Sequence, residues 1–134
     1  MRTSLVTGGA GFIGSHLVDK LLDMGHRVIV IDNESSDGHD DYHWNKHAEN
    51  YPVDITNFHH IVDKFKGVDY VYHLAAKASV QASVDNPIPT METQVMGTVN
   101  VLEASRQNGV EKFIYSSTSA AYGNKNPIPN KEVM

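Results

Sequence analysis

The 134-residue sequence predicts an α/β domain with a doubly wound parallel sheet that is truncated after about five strands. Short apolar runs typical of buried strands alternate along the chain with segments of helical periodicity. This alternation favours a parallel sheet with helices on both faces. Polar or glycine-rich residues follow each apolar run, and in such a sheet they meet at the carboxyl edge, where ligands bind.

The first predicted unit is a strand over residues 4–6, a glycine-rich turn and a helix over residues 15–24. The turn, residues 7–14, reads T-G-G-A-G-F-I-G and fits the spacing G-x-G-x-x-G. Its glycines permit a tight turn and let backbone N–H groups approach a phosphate without an intervening Cβ. The following helix N-terminus adds partial positive charge. The segment therefore predicts a site for the pyrophosphate of a dinucleotide.

A second strand is predicted over residues 27–31 and is followed by Asp32, 18 positions after Gly14. An acidic residue at this position accepts hydrogen bonds from the adenosine ribose. No Arg or Lys lies between Asp32 and Asp41, so nothing there is suited to a 2′-phosphate. The sequence therefore predicts NAD rather than NADP as the cofactor. A βαβ unit without a ligand is the less favoured interpretation.

The remaining elements follow from periodicity and from helix-ending residues. Residues 33–50 are expected to form a polar loop with a short helical turn around 42–44. Further strands are predicted at 51–53, 68–74 and 112–116, and helices at 57–66, 80–85 and 90–107. Pro87 and Pro89 are expected to separate the last two helices, and the residues after 116 to be loop.

The composition excludes several classes of protein. The chain has 16 acidic and 11 basic residues, a net charge of −5, and its basic residues are scattered, so no nucleic-acid surface is expected. The absence of cysteine excludes a disulfide scaffold, a zinc–thiolate site and a thiol nucleophile. The sequence shows neither a leader nor a membrane-spanning apolar run, so we expect a cytoplasmic protein with no membrane partner.

One group of histidines and one single histidine allow other interpretations. His39, His43 and His47 are spaced so that a helix would align them beside Asp40 and Asp41, which could bind zinc or nickel. A solvated loop is the favoured interpretation, and no metal site is predicted. His73, at a strand end, is expected to be packed and hydrogen-bonded rather than an acid–base group.

Six motifs together carry a family resemblance: residues 7–14, D-N at 32–33, D-I at 54–55, H-L-A-A at 73–76, G-T-V-N-V-L-E-A at 97–104 and S-S-T-S-A-A-Y-G at 116–123. In this order they resemble the N-terminal half of the NAD-dependent nucleotide-sugar epimerases and dehydratases, which are extended short-chain dehydrogenases with a Rossmann-type cofactor domain. The resemblance spans essentially the whole chain. It implies that residues 1–134 are an incomplete NAD-binding Rossmann domain without the C-terminal substrate domain.

The resemblance also implies roles for individual residues. Those expected to bind NAD are Gly8, Gly11, Phe12, Ile13 and Gly14 at the pyrophosphate, Asp32, Asn33, Asp54 and Ile55 at the adenosine, and Leu74, Ala75, Ala76 and Ser116 elsewhere along the cofactor. Thr118 matches the catalytic Ser/Thr whose hydroxyl hydrogen-bonds the sugar hydroxyl that is oxidised. Ser79, Ser83 and Tyr122 are expected to face the substrate. Gln94 departs from the Asn that family members often carry.

The segment after the fifth strand favours 4-epimerase chemistry within this family. Sugar 4,6-dehydratases carry an acidic residue just after the catalytic Thr/Ser, whereas Ser119 and Ala120 stand here and neither is a general acid at pH 7. In the epimerase reaction NAD⁺ removes a hydride from C4 of the sugar and returns it to the other face. A 4,6-dehydratase fragment and a non-catalytic NAD-binding module or subunit remain as alternatives.

The Tyr-x-x-x-Lys pair that supplies the family's base is expected on a helix after the fifth strand, where this sequence has none. The string from Tyr42 to Lys46 lies in the loop after the second strand and is interpreted as chance. We therefore expect a truncated product, a fragment or one piece of a split enzyme, which is inactive alone and meets a nucleotide sugar only when a C-terminal half completes it. The unpaired edge of the fifth strand predicts marginal stability or self-association.

Overall fold

The computed structural model describes residues 1–35, 41–125 and 128–132, and its centre is a parallel sheet. The strands are β1 (Thr3–Thr7), β2 (Arg27–Ile31), β3 (Glu49–Tyr51), β4 (Tyr70–His73) and β5 (Lys112–Tyr115). Their order across the sheet is β3-β2-β1-β4-β5, and every neighbouring pair is parallel. In the central register, Leu5 of β1 lies between Ile29 and Val71.

Helical segments connect these strands. The α-helices are α1 (Phe12–Asp23), α2 (Phe58–Ile61), α3 (Val80–Asp85), α4 (Pro87–Met91) and α5 (Thr98–Gln107). A 3₁₀ turn (Val62–Phe65) follows α2, a π-helical turn (Glu92–Gly97) joins α4 to α5, and a second 3₁₀ turn (Ser119–Tyr122) follows β5. None of the helices in the described part of the chain has the length and apolar character needed to cross a bilayer.

Side chains of alternate residues in the central strands pack into two separate hydrophobic cores, one on each face of the sheet. Leu5 belongs to a cluster with Phe65 and with Val101 of α5, whereas Val6 packs with Val18 of α1. Because successive side chains of a strand point to opposite faces, a strand covered on both sides is apolar throughout. The predicted fold class, a Rossmann-type doubly wound sheet, is therefore confirmed.

The third strand lies earlier than predicted. It covers Glu49–Tyr51 rather than residues 51–53, because these residues pair with β2 and the Glu49 carboxylate forms an ion pair with Arg27 on that strand. Pro52 has no N–H group with which to extend the ladder.

The loop before β3 also differs from its prediction. Residues 41–45 contain no helical turn, so the turn expected around 42–44 is wrong. Instead, the N–H group of His43 donates to the carbonyl of Ala10 at 2.9 Å. This hydrogen bond ties the loop to the glycine-rich turn, a long-range contact that local periodicity does not reveal.

The helices lie where the sequence predicts them, but the bounds and the types of several differ from the prediction. Helix α3 has the predicted bounds, whereas the segment 57–66 divides into α2 and a 3₁₀ turn. Pro87 occupies the first position of α4, where its missing N–H is tolerated, so the prolines begin a helix rather than only interrupt one. The predicted helix 90–107 contains the π-helical turn, and the segment after residue 116 is not all loop.

Large apolar side chains remain exposed on β5 and on the helical segment that precedes it. Ile114 and Tyr115 of β5 are 40% and 54% exposed, and β5 is the outermost described strand on its side of the sheet. Met91, Val95 and Leu102 are also exposed along residues 87–107. Exposed apolar patches and edge strands are typical of contact surfaces.

Candidate dinucleotide-binding site

A cleft of about 340 Å³ lies at the carboxyl edge of the sheet. Every residue that the sequence assigned to the cofactor lines this cleft: Gly8, Gly11, Phe12, Ile13, Gly14, Asp32, Asn33, Asp54, Ile55, Leu74, Ala75, Ala76 and Ser116. These residues follow all five strands. The fold therefore gathers into one place side chains and turns that are scattered over most of the sequence.

Two glycines allow the first turn to pack closely against its neighbours. Gly8 has a φ of 71°, which L side chains rarely adopt, and a Cβ there would lie 2.9 Å from the backbone nitrogen of Ala75. A Cβ on Gly14 would lie 2.1 Å from the carbonyl oxygen of Gly8. The turn, α1 and the exit of β4 can approach one another only because both Cβ atoms are missing.

The N-terminus of α1 opens onto the cleft. Gly11 is its N-cap residue, and no side chain caps the helix. The first N–H groups of a helix have no partner within it, and they carry the positive end of the helix dipole. Phe12 and Ile13, which follow the cap, line the cleft and are 74% and 69% exposed. This end of the cleft is suited to a diphosphate.

Asp32 connects β2 to the glycine-rich turn. Its Oδ2 accepts a hydrogen bond from the N–H group of Ala10 at 3.1 Å, and its Oδ1 accepts one from the N–H group of Glu34 at 2.8 Å. An ionised carboxylate offers about four lone-pair positions, so acceptor capacity remains for hydroxyl donors. The carboxylate is fixed beside the cleft, as recognition of a ribose requires.

Asp54 and Asn33 form a second polar group on the same side. Asn33 Nδ2 donates to Asp54 Oδ2 at 3.0 Å, and Asp54 Oδ1 accepts from the N–H and hydroxyl groups of Thr56 at 2.9 and 2.8 Å. Burial by itself raises the pKa of Asp54, but the hydrogen bonds from Thr56 and Asn33 and the charge of Lys77 outweigh it and hold that pKa below its ordinary value. The carboxylate is therefore ionised at neutral pH and orients Asn33.

His73 supports the opposite wall of the cleft. It is 2% exposed, and its ring nitrogens lie 2.7 Å from the hydroxyl of Thr7 and 3.0 Å from that of Thr98. Thr7 Oγ1 also accepts the N–H groups of Leu74 and Ala75, each at 3.1 Å. Burial lowers the pKa of His73 to about 4, so the ring is neutral at pH 7. The prediction of a packed, hydrogen-bonded histidine is confirmed.

Gln94 holds the next residues of this wall. Its Oε1 accepts the N–H group of Lys77 at 3.0 Å, and its Nε2 donates to the carbonyl of Lys77 at 2.7 Å. Ala76 and Ala78, on either side of Lys77, both line the cleft. The glutamine that departs from the family's usual asparagine thus makes two hydrogen bonds to the backbone of the cleft wall.

Thr118 lies beyond the end of β5, outside the lining of the cleft. It begins the 3₁₀ turn Ser119–Tyr122, where its Oγ1 accepts the N–H group of Ala120 at 3.1 Å. Tyr122 ends the same turn and also lies outside the lining. Their roles at a substrate stay predictions.

Ser79 is the N-cap residue of α3, and Ser83 lies within that helix. Both are outside the lining of the cleft. Ser79 Oγ accepts the N–H group of Ala82 at 3.1 Å, and the Ser83 hydroxyl donates to the carbonyl of Val80 at 2.6 Å. Both hydroxyls therefore make local helix contacts, and their assignment to a substrate stays a prediction.

The cleft also contains residues that the sequence did not assign: Ile31, Ser35, Tyr42, Val53, Ala78 and Thr93. Ile31, the last residue of β2, and Val53, beyond the end of β3, each directly precede an assigned aspartate, so these aspartates could have revealed them. Ser35 and Tyr42 come from a polar loop whose path no periodicity specifies. Thr93 lies in the π-helical turn, which the sequence did not indicate.

The described part of the histidine-rich segment, residues 41–47, does not form the helix that the metal interpretation requires. His39 and Asp40 lie outside the described residues, and residues 41–45 are not helical, so helical spacing does not align His43 with His47. Within residues 1–35, 41–125 and 128–132, no three His, Asp or Glu side chains are grouped to hold a metal ion.

Residues 4–134 match the model of the NAD dependent epimerase/dehydratase family. The chain is 40% identical over 131 residues to a putative UDP-glucose 4-epimerase of Methanocaldococcus jannaschii, a match that covers 96% of this chain and 42% of that protein. It is 42% identical over 129 residues to UDP-glucuronic acid decarboxylase 1 of Arabidopsis thaliana, covering 96% of this chain and 29% of that protein. The chain thus spans less than half the length of these relatives.

A solved structure shows the same relationship in three dimensions. The UDP-glucose 4-epimerase of Thermus thermophilus, in complex with NAD, superimposes with a TM-score of 0.85 at 37% identity, covering 98% of this chain and 43% of that one. The resemblance inferred from the six motifs is confirmed, and it concerns the N-terminal part of the longer proteins. This chain belongs to the NAD dependent epimerase/dehydratase family.

Proposed function

We propose that this chain binds NAD in the cleft and forms the cofactor-binding part of a nucleotide-sugar 4-epimerase. The observation that carries the proposal is the convergence of the glycine-rich turn, Asp32, Asp54 and the Leu74–Ala76 wall on one cleft. Membership of an NAD-dependent family supports the choice of cofactor.

The residues that line the cleft offer a partner for each part of a dinucleotide, which supports the proposal. The uncapped N-terminus of α1 would hold the pyrophosphate. Asp32 would accept hydrogen bonds from the ribose hydroxyls, and Asn33 and Asp54 would lie beside the adenosine. The wall at Leu74, supported by His73, would line the nicotinamide half, and Ser116 would close that end.

In the proposed reaction, bound NAD⁺ would supply a hydride acceptor for C4 of the sugar. Thr118 would orient the hydroxyl on that carbon by a hydrogen bond, and Ser79, Ser83 and Tyr122 would contact the sugar. The family's Tyr-x-x-x-Lys base has no counterpart after β5 among these 134 residues. We propose that further polypeptide supplies it, together with the grip on the nucleotide sugar.

Other functions would use the same cleft. The similarity to a UDP-glucuronic acid decarboxylase supports decarboxylation of a nucleotide-linked uronic acid as a second candidate. A 4,6-dehydratase fragment is less well supported, because Ser119 and Ala120 offer no acid after Thr118. A non-catalytic NAD-binding module would keep every cleft residue and show no turnover in any context.

Calorimetric titration of the purified chain with NAD⁺ tests the proposal. Saturable 1:1 binding is expected, and Asp32→Asn should weaken it at least tenfold, because a hydrogen bond to a charged group contributes about 1.5–3 kcal/mol. Asp63→Asn is the matched control, since Asp63 is an exposed carboxylate outside the cleft lining. It should change the affinity less than twofold. Absence of saturable binding, or equal losses in the two variants, would overturn the proposal.

A further inference from the structure

Glu34 has an unusual backbone conformation beside the cleft. Among the described residues it is the one non-glycine residue with a positive φ, 57°. Such a conformation is uncommon for a long side chain and persists where the surroundings impose it. Glu34 is exposed and lies outside the cleft lining itself, whereas Asn33 and Ser35 on either side of it both line the cleft.

Two contacts impose this conformation. The N–H group of Glu34 donates to Asp32 Oδ1 at 2.8 Å, and Trp44 Nε1 donates to Glu34 Oε1 at 2.6 Å. The indole of Trp44 is partly buried against the core beneath α1, beside residues such as Val18. A partly buried side chain that packs against the core therefore holds an exposed carboxylate two residues beyond Asp32.

The described residues that follow Asp32 are acidic rather than basic. Glu34 and Asp41 are acidic, residues 32–45 contain no Lys or Arg, and the cation that acts on nearby Asp54 is Lys77. A 2′-phosphate would bring up to about two further negative charges to the ribose that Asp32 is proposed to hold. A carboxylate at this position disfavours a ligand with a 2′-phosphate more than a ligand without it, and this difference in affinity is what gives specificity.

We propose that Glu34, held in place by Trp44, is a second residue that excludes cofactors carrying a 2′-phosphate. The inference rests on the proposed NAD function, but it concerns only the ratio of two affinities. Glu34 acts through its charge, and Trp44 is the positioning residue that keeps this charge near the ribose. Asp32 alone would discriminate less strongly.

The test is a set of calorimetric titrations with NAD⁺ and NADP⁺. Glu34→Gln keeps an acceptor for the Trp44 N–H but removes the charge, and Trp44→Phe keeps an aromatic ring but removes the donor. We expect Glu34→Gln to lower the ratio of the NADP⁺ and NAD⁺ dissociation constants about tenfold, and Trp44→Phe to lower it at least threefold. The NAD⁺ affinity should stay within twofold in both variants.

Glu111→Gln is the charge-matched control, because Glu111 is an exposed carboxylate outside the cleft lining that pairs with Arg2. It should leave the ratio unchanged. An unchanged ratio in Glu34→Gln, or an equal loss of both affinities, would overturn the role of Glu34, and an unchanged ratio in Trp44→Phe would overturn the positioning role. Failure of the wild-type chain to bind NAD⁺ would instead contradict the proposed function. Trp44 is the single tryptophan, so its fluorescence provides an independent signal in the wild type.

Discussion

Thr7 determines which ring nitrogen of His73 carries the proton. The Thr7 hydroxyl oxygen accepts the N–H group of Ala75 and shares that of Leu74 with the Thr7 carbonyl, which directs its hydroxyl proton to His73 Nδ1, 2.7 Å away. The ring proton is then on Nε2, from which it is donated to Thr98 at 3.0 Å. This chain of hydrogen bonds joins β1, β4 and α5 behind the cleft wall, and it requires the imidazole to be neutral.

Acid should therefore destabilise the fold through His73. Because its pKa in the folded chain is about 4, against an ordinary value of 6.5, the unfolded chain takes up the proton first. His73 does not lower the free energy of unfolding above about pH 6.5. As the pH falls from there towards 4, that free energy decreases by about 3 kcal/mol in all. Urea unfolding across this range, compared with His73→Gln, measures the effect. The variant should show a smaller fall, and parallel pH dependences would contradict the assignment.

Gly14→Ala should disrupt the glycine-rich turn. The added Cβ would lie 2.1 Å from the carbonyl oxygen of Gly8, and because this oxygen is backbone, α1 must shift away from the turn. We expect a loss of about 2–3 kcal/mol in the free energy of unfolding and the loss of NAD⁺ binding. Urea unfolding and calorimetry measure both quantities.

Gly25→Asn provides the control for this substitution. Gly25 has a φ of 83°, which asparagine tolerates better than most residues, and a Cβ there would meet nothing within 4 Å. It should cost less than about 1 kcal/mol and leave NAD⁺ affinity unchanged. Comparable losses in the two variants would show that close packing at Gly14 is not the reason for its effect.

Motifs tied to strand ends were predictable from the sequence, because a parallel sheet places all its carboxyl ends along one edge. Asp32 and Asp54 each follow an apolar run, and this alone predicted that both border one cleft. Contacts that depend on the path of a loop were not predictable. Nothing in the local pattern indicates that Trp44 reaches Glu34 or that Tyr42 borders the cleft.

The predicted helix boundaries are wrong where local sequence signals compete with tertiary contacts. Local sequence predicts that Pro87 separates two helices, yet the same lack of an N–H group suits the first position of α4. The π-helical turn at Glu92–Gly97 leaves no trace in the apolar periodicity, although Gly97 within it lets Ile55 pack closely. Such turns are often located at functional sites, and this one carries Gln94 and Thr93.

Gln94→Ala should loosen the cleft wall. The substitution removes both hydrogen bonds to the backbone of Lys77 and leaves that N–H and carbonyl without these partners. We expect a loss of about 1–3 kcal/mol in unfolding free energy and several-fold weaker NAD⁺ binding. Gln81→Ala is a suitable control, because Gln81 is exposed and its side-chain amide donates to Asp85 within the same helix, α3. If both variants bind NAD⁺ as the wild type does, Gln94 does not shape the cleft.

The exposed edge strand β5, with its apolar side chains, should make the 134-residue chain self-associate. Ile114 and Tyr115 present apolar surface on the outermost described strand, which is free to pair with another edge. Sedimentation velocity should show concentration-dependent association that Ile114→Lys reduces, since a charge on an edge strand opposes pairing. Val80→Lys, which alters an exposed apolar residue on α3 instead, should have no such effect. A wild-type chain that is monomeric at all concentrations would contradict the prediction.

The 134-residue chain should bind NAD⁺ without epimerising UDP-glucose. General acid–base catalysis by a positioned side chain contributes about 10²–10⁴-fold, and the position that the family uses for its base has no counterpart after β5 in this sequence. Tyr42 borders the cleft together with the proposed ribose residues Asp32 and Asn33, which is the wrong end for a reaction at the nicotinamide. Coupled assay of UDP-galactose formation, with excess NAD⁺, measures turnover. Robust turnover by the wild-type chain would refute this expectation.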